Sequence, residues 1–177
     1  MKLKFLTSNA GKFAEAKAIF PILEQVELDL HEIQSLDAEV VIASKLEEAS
    51  KQIDGELIVD DTGLYLDGMN GLPGVMTKWF LESIGEEGVT RLADQFGAVA
   101  KIITTIGYTN GGDYKFFKGE MLGRVVEPRG DRGFGFDKIF EVESLGKTLG
   151  EITLEEKNEI STRADALNQL KLFLENN

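Results

Sequence analysis

The chain is 177 residues long, 42% hydrophobic and 28% charged, with a formal net charge of −12, enough apolar material for a substantial core in an ordinary globular composition. That acidic balance works against a long nucleic acid partner, whose phosphates call for a broad basic face, but leaves room for a small phosphorylated ligand held by a few lysines and a cation. With no cysteine and a single histidine, His31, disulfides and thiolate metal sites are excluded, and Ser-His-Asp triads and multi-histidine zinc centres nearly so. No run approaches the ~18 apolar residues of a membrane span. Met1–Leu6 is basic and then apolar for only two residues, without the apolar stretch and cleavage site of a secretory signal. A cytoplasmic protein with no membrane partner is expected.

In chain order, Lys2–Thr7 reads as a first strand and Gly11–Phe20 as a helix with Phe13, Ala16, Ile19 and Phe20 on one face. Between them stands Thr7-Ser8-Asn9-Ala10-Gly11-Lys12. Small polar residues at a helix entrance can turn N–H groups and hydroxyls toward an anion, and Lys12 adds a point charge. The spacing is not that of a Walker A loop, and the same residues also make an ordinary strand-to-helix turn capped by Asn9. Val26–Ile33 alternates Val26, Leu28 and Leu30 with acidic residues, as a half-buried strand does, and Glu39–Ile53 is helical. Glu56–Val59 reads as a short buried strand ending at Asp60-Asp61, with a turn after it. Paired carboxylates at a strand end lie where α/β sheets place ligand groups. They suit a hard cation or a proton transfer from water; they also suit a solvated acidic turn.

After Gly71-Leu72-Pro73-Gly74, two helices are expected, Thr77–Ile84 and Glu87–Phe96. Lys78-Trp79-Phe80 can offer a phosphate contact and a stacking ring, or Trp79 and Phe80 are core. Two long strands follow, Ala100–Thr109 and Lys115–Val126, joined by Asn110-Gly111-Gly112-Asp113, a hairpin turn signal. In Gly133-Phe134-Gly135-Phe136-Asp137 the glycines allow close approach to a flat ligand, with Phe134 to stack and Asp137 to accept; a strand bend has the same composition. Lys157 and Ser161-Thr162-Arg163 precede and open a last helix, Thr162–Leu174, for which Ser161 is a possible N-cap and Ile160, Ala164, Leu167, Leu170 and Leu174 an apolar stripe. Alternating strands and helices followed by a long hairpin imply an α/β fold with a mixed sheet in a single domain, residues 1–177, with no separable linker.

Taken together and in this order, these pieces resemble the inosine triphosphate pyrophosphatase family. The resemblance runs from residue 3 to about residue 170 and rests on the T-x-N-x-x-K start, Glu32-Ile33-Gln34, D-D-T-G-L, L-P-G-x-x-x-K-W-F, R-G-x-x-G-F-G-F-D and E-E-K-N-x-I-S-x-R. It implies an elongated two-lobed mixed sheet flanked by helices, a nucleotide cleft between the lobes, and a homodimer. It implies hydrolysis of ITP, dITP and XTP to the monophosphate and pyrophosphate, with Mg²⁺ and Mn²⁺ as a possible substitute. Carried over by position, Thr7, Ser8, Asn9, Ala10, Gly11 and Lys12 would cradle the triphosphate, Lys12 also serving catalysis. Glu32, Asp60 and Asp61 would hold the metal, Asp61 also acting as base for the attacking water, and Thr62 would bind substrate beside it. Lys78, with Trp79, would contact the nucleotide. Phe134, Gly135, Phe136, Asp137, Lys157, Thr162 and Arg163 would form the purine pocket.

The chain departs from the family pattern in having Thr162 where Ser-His-Arg is usual, and Lys138 where proline often follows the pocket aspartate. Val40–Lys45 matches loosely, Lys45 standing where some members carry a substrate lysine. The competing readings are a related pyrophosphatase with another base preference and a silent nucleotide-binding module. Retention of both Asp60 and Asp61 favours the enzyme.

Overall fold

The computed structural model describes residues 3–176; Lys2, placed in the first strand by its pattern, lies outside them. The strands are β1 (Lys4–Leu6), β2 (Glu24–Val26), β3 (Leu57–Leu66), β4 (Pro73–Gly74), β5 (Val99–Thr109), β6 (Lys115–Val125) and β7 (Phe140–Val142). The helices are α1 (Ala10–Ile19), α2 (Ala38–Ser50), α3 (Thr77–Phe96), α4 (Leu154–Ile160) and α5 (Thr162–Glu175). The sheet runs β2-β1-β3-β5-β6-β7, with β4 paired to β3 off this path. β1 is parallel to both β2 and β3, whereas the β3–β4 and β6–β7 pairs are antiparallel. The sheet is therefore mixed and flanked by helices, as the alternating pattern implies.

The chain divides into two compact units. The first comprises Met1–Asp61, Thr104–Gly119 and Thr162–Asn177; the second comprises Thr62–Ile103 and Glu120–Ser161. In the first unit, side chains alternate across the strands. Phe5 and Ile58 join one core with Ala16 of α1 and Ala166, Leu167 and Leu170 of α5. Their neighbours Leu6, Leu57 and Val59 join a separate core with Ile42, Leu46 and Ala49 of α2. Helices on both faces explain why Phe5 and Leu6 of β1 are both buried and why the start of β3 reads as an unbroken apolar run. The second unit gathers Leu64 and Leu66 of β3, Val89 and Ala93 of α3, Ile102 of β5, Met121 of β6 and Phe140 of β7. In that unit β6 is one-sided: Met121 is buried while Leu122 beside it is exposed.

Three expectations change. β2 lies at Glu24–Val26 and not over Val26–Ile33. Its partner β1 offers only three residues of ladder, so Leu28 and Leu30 pack against the α2-side core from irregular chain. β3 does not stop at the aspartates but continues through them to Leu66, which Asp60 permits because cations neutralise it there. Ile160 belongs to α4 instead of the α5 stripe, and Ser161, extended at φ −67° and ψ 145°, separates the two helices. By contrast, the break foreseen between two helices after residue 76 is present, because α3 has a non-helical residue at Gly85 (φ 69°, ψ 179°).

Candidate active site

In the first unit, β1 ends where α1 begins. Thr7 Oγ1 accepts the Asn9 N–H at 3.1 Å, and Asn9 Oδ1 caps the helix by accepting the Lys12 N–H at 3.0 Å. The first-turn amides of Ala10 and Gly11 are among those that a helix leaves without an intrahelical acceptor, and Ser8, Asn9 and Ala10 are exposed. This is an anion-receptive helix entrance with a lysine one residue further on.

Lys12 connects this entrance to β3. Its Nζ lies 3.0 Å from Asp60 Oδ1. The other Asp60 oxygen accepts from Arg163, at 3.0 Å from Nε and 2.9 Å from Nη2. Arg163 Nη1 is in turn bonded to Glu15 Oε2. Glu15, Asp60 and Arg163 are all buried. Two cations and two carboxylates thus form a neutral quartet, the condition under which buried charge is tolerated. Burial alone would raise the Asp60 carboxyl, but Lys12 and Arg163 outweigh it and hold it below the ordinary range. Burial opposes the charge on Arg163, and Asp60 and Glu15 prevail in holding its proton.

Asp61 is the opposite case. Burial raises its carboxyl to about 6; Lys12 and Lys45 oppose the shift, and Asp60 and Glu32 add to it. Its Oδ2 is buried and has no hydrogen-bond partner. Such an orphaned oxygen is what a ligand or cation site leaves behind. Glu32 stays exposed and pairs with Lys45 at 2.9 Å. Among the described residues no three acidic or imidazole groups are gathered into a ready metal cluster. The fit for a metal therefore rests on Asp61's orphaned oxygen, a hard donor of the kind a divalent cation such as Mg²⁺ takes.

The second unit holds another cluster. Asp137 Oδ2 accepts the Phe134 N–H at 2.8 Å and the Lys157 ammonium at 2.6 Å, and Lys157 Nζ sits 4.7 Å from the centre of the Phe134 ring. Gly133 has φ +77°, and a Cβ there would lie 2.1 Å from Asp137 Oδ2, so the turn that brings Phe134 back onto Asp137 needs glycine. Phe134 is exposed, while Phe136 is half-buried against the core. Lys78 and Trp79 are exposed, with Lys78 3.9 Å from Glu82 and 5.6 Å from the Trp79 ring. Trp79 is thus not core, whereas Phe80 packs against it.

The residues grouped by sequence are divided between the units: Thr62, Lys78, Trp79, Phe134–Asp137 and Lys157 belong to the second, and Thr7–Lys12, Glu32, Asp60, Asp61, Thr162 and Arg163 to the first. The Thr162 hydroxyl is buried and bonded to that of Thr104 at 2.7 Å, and the Arg163 fork is bonded to carboxylates. Sequence reasoning missed Glu15 and Thr104, and left Lys45 outside the site. Lys45 alone had a signal, its place in the loosely matching stretch after Val40.

An α/β fold in which a helix entrance lies beside an aspartate bonded to two cations is suited to handling phosphate. Comparison with known proteins narrows this. Residues 3–173 match the Ham1 family. The chain is 37% identical over 184 residues to the dITP/XTP pyrophosphatase of Methanopyrus kandleri, covering 100% of this chain and 98% of that protein. It is 41% identical over 175 residues to the inosine triphosphate pyrophosphatase of Neurospora crassa, covering 96% and 90% respectively. The solved Ham1 protein of Staphylococcus aureus superimposes with a TM-score of 0.84 at 30% identity, over 99% of each chain. The chain belongs to the Ham1 family.

Proposed function

We propose that this chain hydrolyses non-canonical purine nucleoside triphosphates, ITP, dITP and XTP, to the monophosphate and pyrophosphate. The names of its relatives support the substrate class. The observation that carries the chemistry is the buried, unpartnered Oδ2 of Asp61 beside an aspartate whose oxygens are both already bonded to cations.

A general base needs proton affinity and an open lone pair. Asp60 is the poorer candidate, because Lys12 and Arg163 donate to its oxygens and hold its proton affinity down. Asp61 has both, so it is the residue that takes the proton from the attacking water. Lys12, half-buried at the α1 entrance, and the first-turn amides receive phosphate oxygens. In phosphoanhydride hydrolysis, most of what the protein contributes is such positioning and charge neutralisation. Mg²⁺, or Mn²⁺ in its place, would be held by Asp61 with Glu32 and Asp60 and would neutralise charge on the triphosphate.

In the second unit, Phe134 supplies a stacking face and Lys157 a donor. Hypoxanthine and xanthine carry a carbonyl at position 6, where adenine carries an amino group. An ammonium, which can only donate, therefore suits the first two. Asp137 holds Lys157 in place.

The test is product analysis on purified protein with ITP and Mg²⁺. IMP and pyrophosphate are expected, with loss of turnover in excess chelator. Release of IDP and orthophosphate, or full activity in chelator, would overturn the reading.

A further inference from the structure

The segment that carries Phe134 and Asp137 is a loop closed at its foot. Arg129 donates its N–H to the Lys138 carbonyl at 2.9 Å, so the two ends meet. That foot is tied to residues 148–151. Arg132 N–H reaches the Gly150 carbonyl at 3.1 Å, and Gly150 N–H reaches the Asp137 carbonyl at 2.8 Å. The backbones approach so closely that a Cβ on Gly130 (φ +81°) would lie 2.0 Å from the Gly150 oxygen.

Thr148 carries the side chain of residues 148–151 that hydrogen-bonds the loop backbone. It is 0% exposed, and its hydroxyl donates to the Arg129 carbonyl at 2.8 Å. Its N–H donates to Glu151 Oε2 at 2.8 Å. The Arg129 guanidinium bonds Glu141 through Nη2 and lies 3.5 Å from Glu151 through Nε. Arg129 is thus held at its carbonyl by Thr148 and at its side chain by a hydrogen bond to Glu141, with Glu151 near enough to add its charge. None of these groups belongs to those that take the base in the reading above.

We propose that Thr148 is a positioning residue for base recognition. Its hydroxyl locks the foot of the 129–138 loop, so that Phe134 and Asp137 stand ready before the nucleotide arrives. This rests on the reading that Phe134, Asp137 and Lys157 take the purine. A loop with glycines at 130, 133 and 135 has many conformations once its foot is released, and binding must then order it. Ordering on binding weakens affinity without altering the reacting groups. Asp61 and Lys12 lie in other segments of the chain, so the effect belongs in KM and not in kcat.

The experiment compares Thr148→Val, Thr148→Ser and Phe134→Ala in steady-state hydrolysis of ITP and ATP, below the melting temperature of each variant. Thr148→Val keeps the shape and loses the donor. It is expected to raise KM for ITP by about fivefold to tenfold, the scale of one hydrogen bond, and to leave kcat within about twofold. Thr148→Ser restores the parental KM. Phe134→Ala raises KM in every case if the purine reading holds. Parental KM in Thr148→Val while Phe134→Ala raises it overturns the proposal and leaves the purine reading intact. A fall in kcat matching the rise in KM also overturns it, as does failure of Thr148→Ser to restore KM. If Phe134→Ala has no effect, the purine reading falls and the proposal with it. Should Thr148→Val not fold, Thr148→Ala, which also removes the donor, takes its place. It is expected to show the same rise in KM, and a parental KM there overturns the proposal.

Discussion

Asp60 and Asp61 are adjacent and chemically identical, and their surroundings separate them. Asp60 has gained two cations, whereas Asp61 has lost water and gained no partner on Oδ2. Asp61→Asn is therefore expected to lower kcat by at least about 100-fold, the scale of a lost general base. Nucleotide affinity should survive, because Lys12 and the α1 entrance are intact. Pyrophosphate release and equilibrium binding measure the two effects separately, and near-normal turnover would assign Asp61 a structural role. Arg163→Leu tests the quartet. Removing one partner of a buried ion set costs about 3–5 kcal/mol, so the urea midpoint should fall sharply; a loss below about 1 kcal/mol would show that Asp60 and Glu15 do not depend on the guanidinium. The aspartate pair was legible in the sequence because two adjacent acids in an apolar run are conspicuous. Glu15 was not. It lies on α1 three residues after Lys12 and reads like any solvated helix glutamate; its burial comes from Arg163, 148 residues further on, and no local rule brings the two together. The partners of Arg163 and Thr162, namely Asp60, Glu15 and Thr104, were hidden in the same way, since all are distant in sequence.

Elements were legible where a stop signal or period was strong, and obscure where tertiary pairing decided. Gly85 marked the break in α3. α4 carried a signal that was passed over: Thr153 and Glu156 form a capping box, the S/T-x-x-E pattern of a helix start. β3 outran its expected end because aspartate reads as a turn residue until its charge is paired. The packing of α2 on β5 gives a sharp test. A Cβ on Gly107 would lie 2.2 Å from Ile42 Cγ2 and 3.0 Å from Leu46 Cδ1. Gly107→Ala is expected to cost about 1–3 kcal/mol by overpacking, seen as a lower unfolding midpoint; an unchanged midpoint would mean that α2 shifts freely. One residue on, the Tyr108 hydroxyl donates to Glu56 Oε1 at 2.6 Å. Burial, with the Glu56 hydrogen bond and charge, pushes its ionisation above the ordinary value. A folded-state value above the unfolded one contributes stability that is present below about pH 10 and lost as pH rises beyond it. The parent's melting temperature should therefore fall more steeply above that pH than that of Tyr108→Phe. Parallel alkaline curves would remove Tyr108 from the account.

At the scale of the whole molecule, no linker marks the division into two units, and only the family resemblance implied two lobes. β3, β5 and β6 each supply residues to both units, so the boundary cuts through strands. Net charge, by contrast, is legible at sight and has a consequence for stability. Acidic residues number 31 against 19 basic ones. The quartet around Asp60 and the Lys157–Asp137 pair are buried and little affected by salt. Exposed pairs such as Lys51–Glu47 contribute little, because solvent and salt screen them. What remains is a surface of net negative charge that repels itself in the folded state more than in the expanded chain. Raising NaCl from about 10 to about 150 mM shortens the screening length from about 30 to about 8 Å, so the melting temperature should rise. A fall would mean that favourable surface pairs outweigh the repulsion. The same measurement isolates a bound cation. Mg²⁺ added to chelator-treated protein, against NaCl of matched ionic strength, should raise the melting temperature further, because only a species bound to the folded state stabilises by mass action. That additional rise should disappear in Asp61→Asn. Equal melting temperatures in the two salts would remove the cation from the site, and persistence of the rise in Asp61→Asn would locate it away from β3.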